Sequence, residues 1–221
     1  MSKSPCVNFG LLGEEYRVTD FIQVTNPLLE RVAGEIQGKT VNHVIARVAG
    51  FIAENVQYAL DRKGHPTACR HTCVFKYHGP IFLTDTGELS YGWLFPNQTL
   101  QCGYGICFDT SVLCCTLLRI KGLEARVVLG AVLASGTREL KGFHAWVEVP
   151  DQDGRILLIE TTSPKEASIW LADDVYSGKF PNLFEPVCRF HEAYWEEDTT
   201  KSKIYTRRVL DVLQKRQERR G

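Results

Sequence analysis

The chain has 221 residues, 44% hydrophobic and 24% charged, and its 26 basic residues are matched by 26 acidic ones. That is enough length and apolar material for one domain with a sizeable core, and the balanced charge excludes the overall basic field of a nucleic-acid binder. The one basic stretch, the terminal KSKIYTRRVLDVLQKRQERRG, reads as a helix with a solvated charged face.

The N-terminal MSKSPCVNFGLLGEEYRV lacks the apolar core of a signal peptide, and the longest apolar run, Val127 to Ala134, is too short to span a bilayer. A cytoplasmic protein with no membrane and no nucleic-acid partner is expected. Its eight cysteines are then free thiols, metal ligands or a nucleophile rather than a disulfide framework.

Between Asp20 and Leu60, apolar residues recur at helical spacing: Leu28, Leu29, Val32, Ala33 and Ile36, then Val44, Ile45, Val48, Ala49, Ile52 and Val56. Gly38 separates the two sets and Thr40 supplies a helix start, so two packed helices are predicted. From Cys73 to Phe95, β-branched and aromatic residues with HGP and DTGE turn signals predict two or three short strands. From Cys107 the pattern is a helix apolar nearly all round, which means burial, with Gly122 suited to its C′ position. LEARVVLGAVL, FHAWVEV and RILLIET then read as strands, the last two joined by a PDQDG hairpin. The predicted fold class is α+β, a buried helix laid on an antiparallel sheet, in a single domain over 1–221. It divides into a helical part (20–62), a core (63–165) and an extension (166–221) ending in a charged helix.

Cys107 falls at the first turn of the buried helix, where unpartnered N–H groups and the helix dipole favour a thiolate and can receive an oxyanion. Taken alone it is equally a small apolar residue. His144 opens the strand HAWVEV, on one face with Trp146 and Glu148. Glu160 is the only acid of the neighbouring apolar strand, and a carboxylate there needs a hydrogen-bonding partner. Thiolate, imidazole and carboxylate in that order form a nucleophile, a base and an orienting group.

GYGICFDTSVLCCTLLRIKGLEARVVLG, followed by FHAWVEV and ILLIETTSP, resembles the core of the transglutaminase-like superfamily. The matching residues are Cys107, Asp109, Arg119, Gly122, Gly130, His144, Ala145, Trp146 and Thr162, and the two preceding helices are similar to those of microbial members. The resemblance implies a papain/transglutaminase-like fold and acyl chemistry at an amide of a peptide or protein, through a Cys107–His144–Glu160 triad and a thioester, without a cofactor. It departs from the family at Glu160, where Asp is usual, and at Thr161, where Pro is frequent. Without the β-sandwich domains of animal crosslinking enzymes, hydrolysis is expected over crosslinking. Trp146 is expected beside the site, and Gln98 and Gln101 are candidates for a second oxyanion donor.

Two other functions compete: a degenerate peptide-binding module of the same fold, and a zinc-stabilised interaction protein. For zinc, Cys69, His71 and Cys73 would share one face of an extended segment, flanked by His65 and His78. Cys102 is close enough in sequence to Cys107 for a redox pair or is a thiol without a role. Cys114 and Cys115 read as helix core.

Overall fold

In the computed structural model of the chain, which describes residues 6–7, 16–59, 81–83, 89–91, 93–162 and 168–207, the N-terminal periodicity forms two helices. They are α1 (Pro27–Glu35) and α2 (Val41–Asn55). Asn26 caps α1 by accepting from the N–H groups of Leu28 and Leu29, and Thr40 caps α2 by accepting from His43 N–H. Leu29 and Ala33 of α1, and Ile45, Val48, Ala49 and Ile52 of α2, are the buried faces.

Both helices pack on the longer buried helix α4 (Cys107–Ile120), which follows the short α3 (Pro96–Cys102). Every residue of α4 from Phe108 to Leu118 is buried, because its other side lies on the sheet. Gly122 ends the helix with φ +79°, Leu123 N–H bonding back to Leu118 O, as the sequence predicts.

Three short pairings decorate the core: β1 (Cys6–Val7) with β2 (Tyr16–Arg17), β3 (Gln57–Tyr58) with β6 (Tyr104–Gly105), and β4 (Ile81–Leu83) with β5 (Leu89–Tyr91). The main sheet holds β7 (Arg126–Ala134), β8 (Leu140–Pro150), β9 (Ile156–Glu160), β10 (Ser168–Leu171), β11 (Asn182–His191) and β12 (Tyr194–Glu197). Its order is β10-β9-β8-β7-β11-β12, with every neighbouring pair antiparallel. The fold is α+β, as expected. The β8–β9 turn is tied by Asp151, whose Oδ1 accepts from the N–H groups of Asp153 and Arg155.

Strands β10 to β12 and helices α3 and α5 (Ala172–Tyr176) go beyond the sequence expectation. Strand β11 carries Pro186 and several charges, which argue against a central strand. The chain accommodates the proline with a register shift between Pro186 and Cys188, opposite Gly130 and Leu129 of β7. The tail is helical over 199–207, the described part of the predicted terminal helix. Among the described residues no helix is long and apolar enough to cross a membrane.

Gly130 lies across from His144 at this bulge. A Cβ there would sit 2.3 Å from Glu185 O and 2.5 Å from Trp146 Cη2, one of them backbone that cannot yield. Gly130→Ala is therefore expected to lose about 1–3 kcal/mol, read as a lower urea midpoint at unchanged slope. Beneath it, Trp146 Nε1 donates to Tyr176 OH, and Tyr176 donates to the buried Glu148, which also takes Arg126 and Arg189. This satisfied network fixes the indole behind the strand end that carries His144.

Candidate active site

The start of α4, where Cys107 stands, is set by Asp109. Its carboxylate accepts from Ile106 N–H and from Leu94 N–H, each at 2.9 Å, so one buried side chain caps α4 and ties down the loop before α3. Burial pushes its carboxyl up to about 7, against the pull of the two N–H groups. Cys107 is then the first residue of α4, half-buried, at the N-terminus of that helix.

His144 and Glu160 sit on adjacent strands, the carboxylate standing diagonally from the imidazole rather than directly across the ladder. His144 Nε2 lies 2.7 Å from Glu160 Oε2, and the two side chains keep only 15% and 12% of their exposure. Glu160 Oε1 is held by Thr162, which donates its N–H at 2.8 Å and its hydroxyl at 2.6 Å. Burial works against a charged imidazole, but hydrogen bonds to Cys107 and Glu160 and their charges outweigh it and push His144 up to about 10. Burial likewise opposes ionisation of Glu160, and His144 and Thr162 outweigh it, holding the carboxylate below its ordinary range. With Nε2 engaged by Glu160, Nδ1 is the ring nitrogen left for the thiol.

Thr161 joins the two halves of the site. Its hydroxyl lies 2.8 Å from Thr110 Oγ1 and 3.1 Å from Ser111 Oγ, bonding the end of the Glu160 strand to the Cys107 helix. Where the resemblance places a proline that bears on the turn, this chain has a buried hydrogen-bonded clasp.

Tyr58 is the residue that the sequence did not single out. Strand β3 runs parallel to β6, just before Cys107, with Gln57 N–H bonding Gly103 O at 2.8 Å and Ala59 N–H bonding Gly105 O at 2.9 Å. This ties the Tyr58 hydroxyl against both the backbone N–H and the side chain of Cys107. Burial, and then the charge of Cys107, push the phenol up, so it stays protonated and able to donate. An aromatic just past the end of a helix, in VQYALD, was its only sequence signal.

The other candidates fall elsewhere. Trp146 is fully buried, its ring centroid 6.4 Å from that of His144, and so packs behind the imidazole. Gln98 caps α3 by accepting from Phe95 N–H at 2.9 Å, and Gln101 is exposed; neither lines the cleft at Cys107. Cys102 is buried at the end of α3, and among the described residues it forms no disulfide with Cys107. Burial pushes Cys114 up to about 12, as fits an inert core residue. Cys69, His71 and Cys73 lie outside the described residues.

Cys107 and His144 open into a cleft of about 620 Å³, walled mainly by apolar side chains, a size and character typical of small-ligand sites. The arrangement brings together a thiol at a helix start, an imidazole held charged and bonded to a carboxylate, and a protonated phenol.

The family model of the transglutaminase-like superfamily matches residues 30–160. No curated protein matches the chain. Among solved structures, one similar chain is a Cytophaga hutchinsonii protein described as a candidate cysteine protease, at 16% identity and a TM-score of 0.41, with 80% of this chain and 50% of that one covered. Another is a candidate protease from Parabacteroides distasonis, at 9% identity and a TM-score of 0.38, with 68% and 29% covered. This chain thus spans half or less of either structure's length, and likenesses of this size assign neither fold nor activity.

Proposed function

The chain belongs to the transglutaminase-like superfamily, and from that premise we propose that it is a cysteine-dependent amide hydrolase acting through Cys107, His144 and Glu160. The observation that carries this reading is the 2.7 Å bond from His144 Nε2 to Glu160, which presents the other face of a charged imidazole to a cysteine at a helix N-terminus.

Cys107 Sγ attacks the carbonyl carbon of a peptide or protein amide, forming the S–C bond. The oxyanion is received by Cys107 N–H and the Tyr58 hydroxyl. His144 gives its proton to the amide nitrogen as the C–N bond breaks, releasing the amine and leaving a thioester. Water then gives a proton to His144 and its hydroxide to the carbonyl carbon. The S–C bond breaks, and the acid leaves with the thiolate–imidazolium pair restored. Glu160 moves no proton; it keeps Nε2–H occupied and stabilises the imidazolium.

Two measurements test this. Iodoacetamide should alkylate Cys107 in the wild type at least about tenfold faster than in His144→Ala between pH 5 and 8, because His144 is hydrogen-bonded to its sulfur. Equal rates in the two proteins reject the catalytic pair and favour a peptide-binding module. Turnover of a peptide-amide library should vanish in Cys107→Ala and, in the wild type, fall on the alkaline side as pH passes about 10, where His144 loses its proton. A labelled amine captured in place of water would redirect the reading to acyl transfer.

A further inference from the structure

The cleft beside Cys107 is asymmetric in origin. Its catalytic wall, with Cys107 and His144, lies within the segment matched by the family model, whereas Val187, Trp195, Ser202 and Tyr205 on the far wall come from β11, β12 and the helical residues 199–207, all outside that match. The C-terminal extension is thus an active-site wall in this chain. Its chemistry is apolar and aromatic. Trp93 stacks on Phe108 with centroids 3.7 Å apart at one side. At the mouth, Phe143, 49% exposed, meets Tyr205 edge-on at 5.8 Å. Tyr205 is itself fixed, donating its hydroxyl to Glu185. Among the described residues that line the cleft, Glu197 is the one carboxylate, and none is a lysine or arginine.

We propose that this cleft binds the acyl side of the substrate and selects amides whose acyl part carries a large uncharged apolar group, aromatic or long aliphatic, and rejects acidic ones. The proposal rests on Cys107 being the nucleophile. A volume of about 620 Å³ accommodates a side chain larger than a methyl or propyl group with room to spare. Burying an aromatic side chain there favours it over a methyl group by about 10- to 100-fold. Among the described lining residues an acidic acyl group finds no lysine or arginine to replace its lost hydration, the charge of His144 is already met by Glu160, and Glu197 stands in the same cleft.

The test uses 4-nitrophenyl esters, which acylate a reactive thiolate whether or not amides are cleaved: the Sγ–C bond forms, the C–O bond breaks, and 4-nitrophenolate leaves. Acylation of Cys107 by the acetate, 3-phenylpropionate and succinate esters is followed by stopped flow and mass mapping, each rate divided by that of free cysteine. The expected phenylpropionate-to-acetate ratio is about 10–100, with succinate below acetate. Ser202→Trp, which fills the cleft from the extension's helix, should lower the ratio by roughly tenfold; Thr206→Trp on the same exposed helix serves if the first variant misfolds. A ratio within about twofold of free cysteine, or one that neither tryptophan alters, overturns the proposal. Parallel assays on the matching 4-nitroanilides separate the two readings. Selective acylation without anilide cleavage keeps the pocket and rejects amide hydrolysis; anilide cleavage with a flat ratio does the reverse.

Discussion

Glu160→Gln is expected to lower kcat/KM by about 10²–10⁴ while leaving the fold intact, measured on any amide the wild type turns over. The size of the effect follows from how completely the carboxylate is used. Oε2 faces His144 Nε2, and Oε1 already takes two donors from Thr162. A glutamine has one oxygen and one NH2, so in either orientation its amide donors confront a donor, at Thr162 or at the imidazolium. Losing the negative charge also removes a force that raises His144. The alkaline limb of activity should therefore move to lower pH in the variant, which a merely structural role for Glu160 does not predict. Stability changes in the same sense. His144 has its folded value raised to about 10, so its contribution is complete below the ordinary value of 6.5 and is lost as pH rises through 10. Glu160 has its value lowered, so its contribution is present above the ordinary value of 4.5 and is lost as pH falls below it. The difference in stability between wild type and Glu160→Gln should be largest between those limits and shrink at both ends. Glu160→Asp retracts the carboxylate by one methylene and cannot span His144 and Thr162 together, so the side chain usual in the family should work less well than glutamate here.

The Cys107–His144–Glu160 arrangement was legible because its parts are short-range in sequence terms: a cysteine at a helix start, a histidine opening a strand, and an acid ending the next one. Alternation along HAWVEV put His144 on one face with Trp146 and Glu148, and the PDQDG turn made an antiparallel pairing with the strand ending in Glu160 the simplest topology. The residues that complete the site were not legible for the opposite reason. Thr161 reads as any threonine at a strand end until α4 is laid against it, and its bonds to Thr110 and Ser111 reach across 51 and 50 residues of chain. Strand β11, the partner of β7, hides behind Pro186 because a bulge is a tertiary accommodation with no local signature. Gln98 and Gln101 were reasonable donors by position upstream of the cysteine, yet α3 turns one into a cap and exposes the other.

Tyr58→Phe should reduce acylation by amides and esters by about 10²–10³, expressed in kcat more than in KM. The phenol makes contact with both Cys107 N–H and the Cys107 side chain, so at rest its oxygen stands where a developing oxyanion would collect donors. When the thiolate adds to a carbonyl, the same O–H can turn from sulfur to oxygen, and it reaches the oxyanion without reorganising the backbone because β3 is bonded to Gly103 and Gly105 on either side of Tyr104. Burial and the charge of Cys107 keep the phenol protonated, which a donor requires. The decisive comparison is with iodoacetamide, whose displacement at an alkyl carbon develops no oxyanion. If Tyr58 acts on the transition state, Tyr58→Phe depresses ester acylation while alkylation of Cys107 stays within about threefold of wild type. If its work is to stabilise the thiolate, both rates change together, and the oxyanion role is excluded. Phenylalanine keeps the ring and its packing, so equal unfolding midpoints for the two proteins assign the loss to the hydroxyl and place an N-terminal residue, far upstream of the nucleophile, among the groups that touch the reacting atoms.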